Sequence, residues 1–188
     1  MGLFNLFKNK KDSIKVDLDA IIKKQLEREA SFLQMSAAEL SELDDCELSN
    51  AVQVRTESMV FSKSDMAEGF CALNEEQRIF YAINCLEMEV YNGGLCQFFV
   101  NSSGMFAPLV SEYMEIIGAT EHKKLYDTFL EKHHIDVSDL SSFDCESVDL
   151  FQSQYERYPF DEYDSAFCDL EPLQNFLTAF IKEHIDSF

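Results

Sequence analysis

Apolar residues recur at three- and four-residue spacing along most of the chain, and no segment alternates convincingly with a period of two. The clearest case lies between residues 74 and 91. Ile79, Phe80, Ile83, Leu86 and Val90 form one stripe, and Tyr81, Cys85 and Met88 form a second. A helix apolar on two sides belongs in the middle of a bundle, and Asn74 with Gln77 three residues on supplies its cap. Upstream, Leu18, Ile21, Ile22, Leu26 and Ala30 predict a helix over 16–32. Ser36 and Glu39 form a capping box that opens a helix to about Val60, carrying Leu40, Leu43, Leu48 and Val52. Gly69 marks a break in 61–72. Downstream, helices are predicted over 106–117 with Pro108 in the first turn, and over 121–134 with Thr120 as cap and Leu125, Phe129 and Leu130 inward. Three more follow over 148–158, 163–170 and 172–185. The expected fold is all-α. It is a single-domain irregular helical bundle with a buried central helix and a short aromatic helix after an Asn-Gly-Gly corner. Residues 1–15 read as a loose basic arm, with a short helical turn at 3–7, and 16–188 as one helical domain.

The corner, YNGGLCQFFVNSSG at 91–104, interrupts this pattern twice. Gly93 and Gly94 lack a Cβ and take φ > 0 without penalty, which is a chemically sensible way to stop a helix. Leu95, Phe98 and Phe99 then resume helical spacing until Asn101-Ser102-Ser103-Gly104. Gln97 and Asn101 lie four apart, on one face of an otherwise apolar turn. Amides placed there need hydrogen bonds. Two arrangements supply them: orphan backbone groups at the two helix ends, or a small polar pocket. A phosphate cradle is not one of the options, since neither GxxxxGK[ST] nor GxGxxG is present.

Charge changes the picture most. The chain has 15 Lys plus Arg against 35 Asp plus Glu, a formal net of −20. Such a field repels nucleic acid and acidic membranes and attracts basic partners. It is also segregated. Residues 1–28 hold seven basic and four acidic groups, and 136–171 hold eleven acids opposed only by Arg157. The candidate partner-binding acids are Asp136, Asp139, Asp144, Glu146, Asp149, Asp161, Glu162, Asp164, Asp169 and Glu171. Tyr155, Tyr158, Phe160, Tyr163 and Phe167 interleave with them, which argues against a disordered acidic tail. Acids also come in pairs three apart: Glu39/Glu42, Asp44/Glu47, Glu112/Glu115, Glu146/Asp149 and Asp161/Asp164. On helices such pairs face the same way, at about the step between phosphates along one DNA strand.

Other chemistry is thinly represented. The six cysteines form no CxxC motif, the four histidines show no metal-ligand spacing, and Ser102 and Ser103 lack a GxSxG context. No cofactor, metal or catalytic group is expected. With neither a secretory signal order nor an apolar run near about 18 residues, the expected location is the cytoplasm.

One stretch carries a resemblance. LEMEVYNGGLCQFFVNSSGMFAPLVSEYMEIIGA supplies Glu87, Glu89, Val90, Asn92, Gly93, Gly94, Gln97, Phe98, Asn101, Ser102, Gly104 and Ile117-Gly118-Ala119. It resembles the signature of a bacterial family, much of it filed as a domain of unknown function, whose best-known member is DNA mimic protein nineteen. The chain departs from the pattern at Leu95, where Phe is usual. The resemblance implies an all-α fold, and one member of the family presents a duplex-like acidic surface that blocks a helix-turn-helix transcription factor; for this chain a like role rests on its own charge of −20. The signature residues themselves read as structural. The expected partner is therefore a basic protein, with no direct nucleic-acid or membrane binding, and a homodimer stays open. Two other readings compete: an immunity-type or stress-related protein that neutralises a basic toxin, and an enzyme with a small polar pocket near Glu87, Gln97 and Asn101.

Overall fold

The computed structural model describes residues 3–145 and 147–188, with side chains described from Leu18 onward except Val148. Among the described residues there are ten α-helices, three short 3-10 turns and no strand, so the fold is all-α. The chain divides into two compact units, residues 1–55 and 56–188.

In the first unit, α1 spans Leu3–Phe32. The helix predicted from residue 16 therefore begins at Leu3, and backbone read as a loose arm is helical from there. The capping box of Ser36 and Glu39 forms as expected, but α2 is short, Ala37–Ser41. Asp44 then accepts the Glu47 N–H at 2.9 Å and opens α3, Asp45–Phe61, whose last turns belong to the second unit, so one predicted helix is two. Glu47 in turn pairs with Arg28. These acids serve the local fold instead of forming a free face.

In the second unit, α4 spans Met66–Ala72 and is capped by Asp65. Gly69 does not break it. A Cβ there would lie 2.3 Å from the Val60 carbonyl oxygen, so the glycine permits two backbones to meet. The central helix α5, Glu75–Val100, carries the predicted capping box of Asn74 and Gln77. Its first stripe is buried as predicted: Ile79, Phe80, Ile83, Leu86 and Val90 are all at most 4% exposed. The second stripe fades along the helix, with Tyr81 buried, Cys85 half-buried and Met88 exposed.

After a 3-10 turn over Ser102–Phe106, α6 spans Ala107–Ile116 and α7 Thr120–His133. Thr120 opens α7 without a side-chain cap bond, contrary to the expectation. The buried face of α7 is His122, Tyr126 and Phe129, with Leu125 and Leu130 on its flanks. Tyr126 Oη donates to the Ala107 carbonyl at 3.0 Å, joining α7 to the start of α6. The chain ends in α8 (Val148–Arg157), α9 (Phe160–Cys168) and α10 (Leu173–Glu183). Phe99, Phe129, Phe143, Phe160 and Tyr163 form a contiguous aromatic cluster with centroid separations of 5.1 to 6.4 Å. Such ring pairs add about 0.5–1.5 kcal/mol each beyond their burial.

Candidate functional site

The Asn-Gly-Gly corner is where the side chains of the sequence motif converge. α5 is broken at Gly93 (φ −162°, ψ 20°) and Gly94 (φ 84°, ψ 175°). The expectation that both glycines exploit positive φ holds only for Gly94. Gly93 does not have a positive φ, and its constraint is steric: a Cβ would lie 2.0 Å from Gln97 Oε1. At Gly94 a Cβ would lie 2.1 Å from Asp164 Oδ2. Asp164 approaches so closely because its Oδ1 accepts the Leu95 N–H at 2.9 Å. A carboxylate from α9 thus caps the second limb of α5, where helix N–H groups have no partner of their own.

Glu89 organises the other side of the corner. It accepts from Gln97 Nε2 at 2.6 Å, from Asn101 Nδ2 at 2.9 and 3.0 Å, and from Ser103 Oγ at 2.9 Å. Gln97 and Asn101 therefore satisfy a side-chain carboxylate, not the orphan backbone groups at the two helix ends. The sequence reading also missed Ser103, which is 5% exposed, while singling out Ser102, which is exposed and outside this set. Glu87, also 5% exposed, accepts the Gln174 N–H at 3.2 Å. It thereby caps α10, and its carboxyl is held above the usual range chiefly by burial. Phe98 is fully buried, and Asn92 is exposed. Gly104 lets the turn close against the Phe99 and Phe98 carbonyl oxygens, 2.8 and 3.0 Å from a Cβ.

Three carboxylates thus tie α5 to its own second limb, to the following turn, to α9 and to α10. Little of that chemistry faces solvent. A groove of about 530 Å³ adjoins the site, lined by Val100, Asn101, Ser102, Met105, Val137 and Leu140 among others. Gln97 does not line it, and the Asn101 amide is already engaged by Glu89. No group of three or more His, Cys, Asp or Glu able to hold a metal occurs among the described residues.

A family model for DMP19-like proteins matches residues 71–184, well over half of the chain and all of this corner. The chain belongs to the DMP19-like family. No curated protein and no solved structure shows a significant match. The family match ends short of α1 to α3, so the DMP19-like region lies within the second unit. No helix among the described residues is long and apolar enough to cross a membrane.

Of the ten acids singled out in this DMP19-like protein, Asp136, Asp139, Asp144, Asp149, Asp161, Glu162, Asp169 and Glu171 are exposed. Glu146 lies outside the described residues. Asp164 is half-buried at the corner, and burial pushes its pKa up to about 6. Several exposed acids also have local tasks. Asp136 accepts from Ser138 N–H and O–H, Asp139 accepts the Ser141 N–H, and Asp161 accepts the Tyr155 hydroxyl. Asp161 and Asp164 therefore do not act as a matched pair.

A pH dependence follows from Asp164. Its folded pKa lies above the 3.8 of an ordinary aspartate, so the native state takes up a proton before the unfolded chain does. This group's contribution to stability accordingly rises as pH falls from about 6 towards 4, and its charge is a cost above that window. Asp164→Asn keeps an oxygen for Leu95 and removes the titration. Urea midpoints measured from pH 4 to 7 are expected to depend less on pH in this variant, with stability at pH 7 equal to or above wild type. Identical pH profiles would show that Asp164 does not titrate in this range.

Proposed function

We propose that the protein is an acidic binding protein whose carboxylate surface takes the place of DNA on a basic partner, such as a helix-turn-helix transcription factor. The observation that supports this reading is the set of exposed carboxylates between Asp136 and Glu171 in a chain of net charge −20. Membership in a family named for DNA mimic protein 19 favours the same direction. The signature acids Glu87 and Glu89 are not part of that surface. They hold helix ends and amides, so recognition falls to residues outside the signature.

The test is competition. A basic DNA-binding protein captured by the chain should be displaced from its operator DNA by the chain, and the complex should weaken steeply between low and physiological salt. Exposed charges are screened beyond about 8–10 Å at those ionic strengths, and rim charges act mainly on the association rate. Converting Asp161, Glu162 and Asp169 to amides is expected to slow association several-fold with the fold intact, while Glu27→Gln with Glu183→Gln does little. Asp164 is left out of the cluster because it holds the corner. Indifference to salt and to these acids would leave the charge as a solubility coat. A captured basic protein that binds no DNA would favour the toxin-neutralising reading instead.

A further inference from the structure

Beside the first turn of α7 lies a cavity of about 200 Å³, lined by Gly118, Thr120, Glu121, His122, Glu171 and Phe176 among others. His122 is 2% exposed and its Nε2 has no hydrogen-bond partner. Its ring stands edge-on to Phe167 at 5.0 Å and to Phe176 at 6.0 Å. Burial lowers its pKa, outweighing the opposite pull of Glu171, so the ring is neutral near pH 7. A neutral imidazole has one nitrogen that donates and one that accepts, so the ring can meet a donor at Nε2 with its proton on Nδ1. Glu121 and Glu171 are exposed carboxylates, which only accept. Glu171 Oε1 takes the Asn175 amide at 3.0 Å, leaving its second oxygen. Apart from the Thr120 hydroxyl and the His122 ring, which can each donate or accept, the side-chain polar groups around the cavity are carboxylates that ask for donors. The first turn of α7 has no side-chain cap and pulls the other way. A free anion, however, would have to pass two carboxylates in a field of net charge −20.

We propose that this cavity is a socket for an arginine side chain of the protein's basic partner, the guanidinium lying against Phe176 between Glu171, Glu121 and His122. The inference rests on the reading above that the partner is basic. A guanidinium carries only donors, its planar fork matches a carboxylate, and it stacks on an aromatic face. A lysine ammonium meets the charge but not the shape. Phe176 is half-buried and lines the cavity.

The test uses the full chain with isotope-labelled histidine and follows the ring signals of His122, assigned by its loss in His122→Asn. The probes are N-acetyl-arginine amide, N-acetyl-lysine amide, and sodium chloride at matched ionic strength. The expected result is a saturable shift of His122 with the arginine probe and little change at His133, His134 and His184. The lysine probe should bind more weakly, and Glu171→Gln should weaken arginine binding about three- to fivefold, the effect of one partly exposed charge partner. A silent His122, a uniform shift of all four histidines, or unchanged affinity in Glu171→Gln would overturn the socket. The two readings fail separately. If the arginine probe binds but no DNA-binding partner competes with operator DNA, the socket stands and mimicry falls. If mimicry passes its salt and operator test while His122 stays silent, only the socket falls.

Discussion

Replacing Gly94 with alanine is expected to lower the unfolding free energy by about 3–4 kcal/mol, the sum of a glycine-only backbone conformation and a damaged cap. At φ 84° and ψ 175° an L side chain is strained wherever it points. Here it also points at Asp164, whose Oδ2 lies 2.1 Å from the new Cβ. Relief requires Asp164 to withdraw, which leaves the Leu95 N–H unpaired at the start of the second limb. For a chain of this size the melting temperature should fall by about 10 °C. Two other glycines separate the causes. Gly118 has φ 80° with nothing within 4 Å of its Cβ, so Gly118→Ala should cost about 1–2 kcal/mol from backbone strain alone. Gly93→Ala adds no positive-φ strain and chiefly displaces the end of the Gln97 side chain, for about 1 kcal/mol. Equal losses at Gly94 and Gly118, measured by urea denaturation, would mean that the Asp164 contact does not restrict the corner.

The sequence made the periodic elements legible and left most of the tertiary ties hidden. The stripe from Ile79 to Val90 and the capping pair Asn74 and Gln77 are local signals, and they fold as read. The break at Gly93 and Gly94 is local too, but which glycine takes positive φ depends on a contact 70 residues away. Asp164 looked like one more surface acid because a single sequence does not show which carboxylate meets a helix end. The same limit made Glu39, Asp44 and Glu47 look like members of a repelling face, when the first two cap helices and the third pairs with Arg28. Gln97 and Asn101 were rightly suspected of needing partners. Glu89, eight residues before Gln97, was not seen as that partner because a continuous helix would hold it away, and only the kink brings them together. His122 carried no signal at all: a histidine on an apolar helix face reads as a core residue until the cavity beside it is seen.

The same kink makes Glu89 the second position of large expected effect. Glu89→Ala removes one carboxylate and strands the donors of Gln97, Asn101 and Ser103 together. Exposed Asn101 regains water, but Ser103 at 5% exposure and half-buried Gln97 do not fully, so the loss is expected at about 2–3 kcal/mol. Glu89→Gln keeps the shape and sets an NH2 donor among donors, for a loss of about 1–2 kcal/mol. Gln97→Leu takes away one bond and should cost about 1 kcal/mol. Because Gln97 acts through Glu89, the double variant Glu89→Ala with Gln97→Leu should cost less than the two losses added, with a coupling of about 1 kcal/mol. Additive losses in chemical denaturation would show that the 2.6 Å contact contributes nothing to the corner. Binding to a basic partner is expected to survive in every folded variant of this set, since Glu89 is turned inward to three donors. Loss of binding by Glu89→Gln at unchanged stability would instead make the signature carboxylate a recognition group, and the exposed acids from Asp136 to Glu171 would no longer suffice to explain the charge.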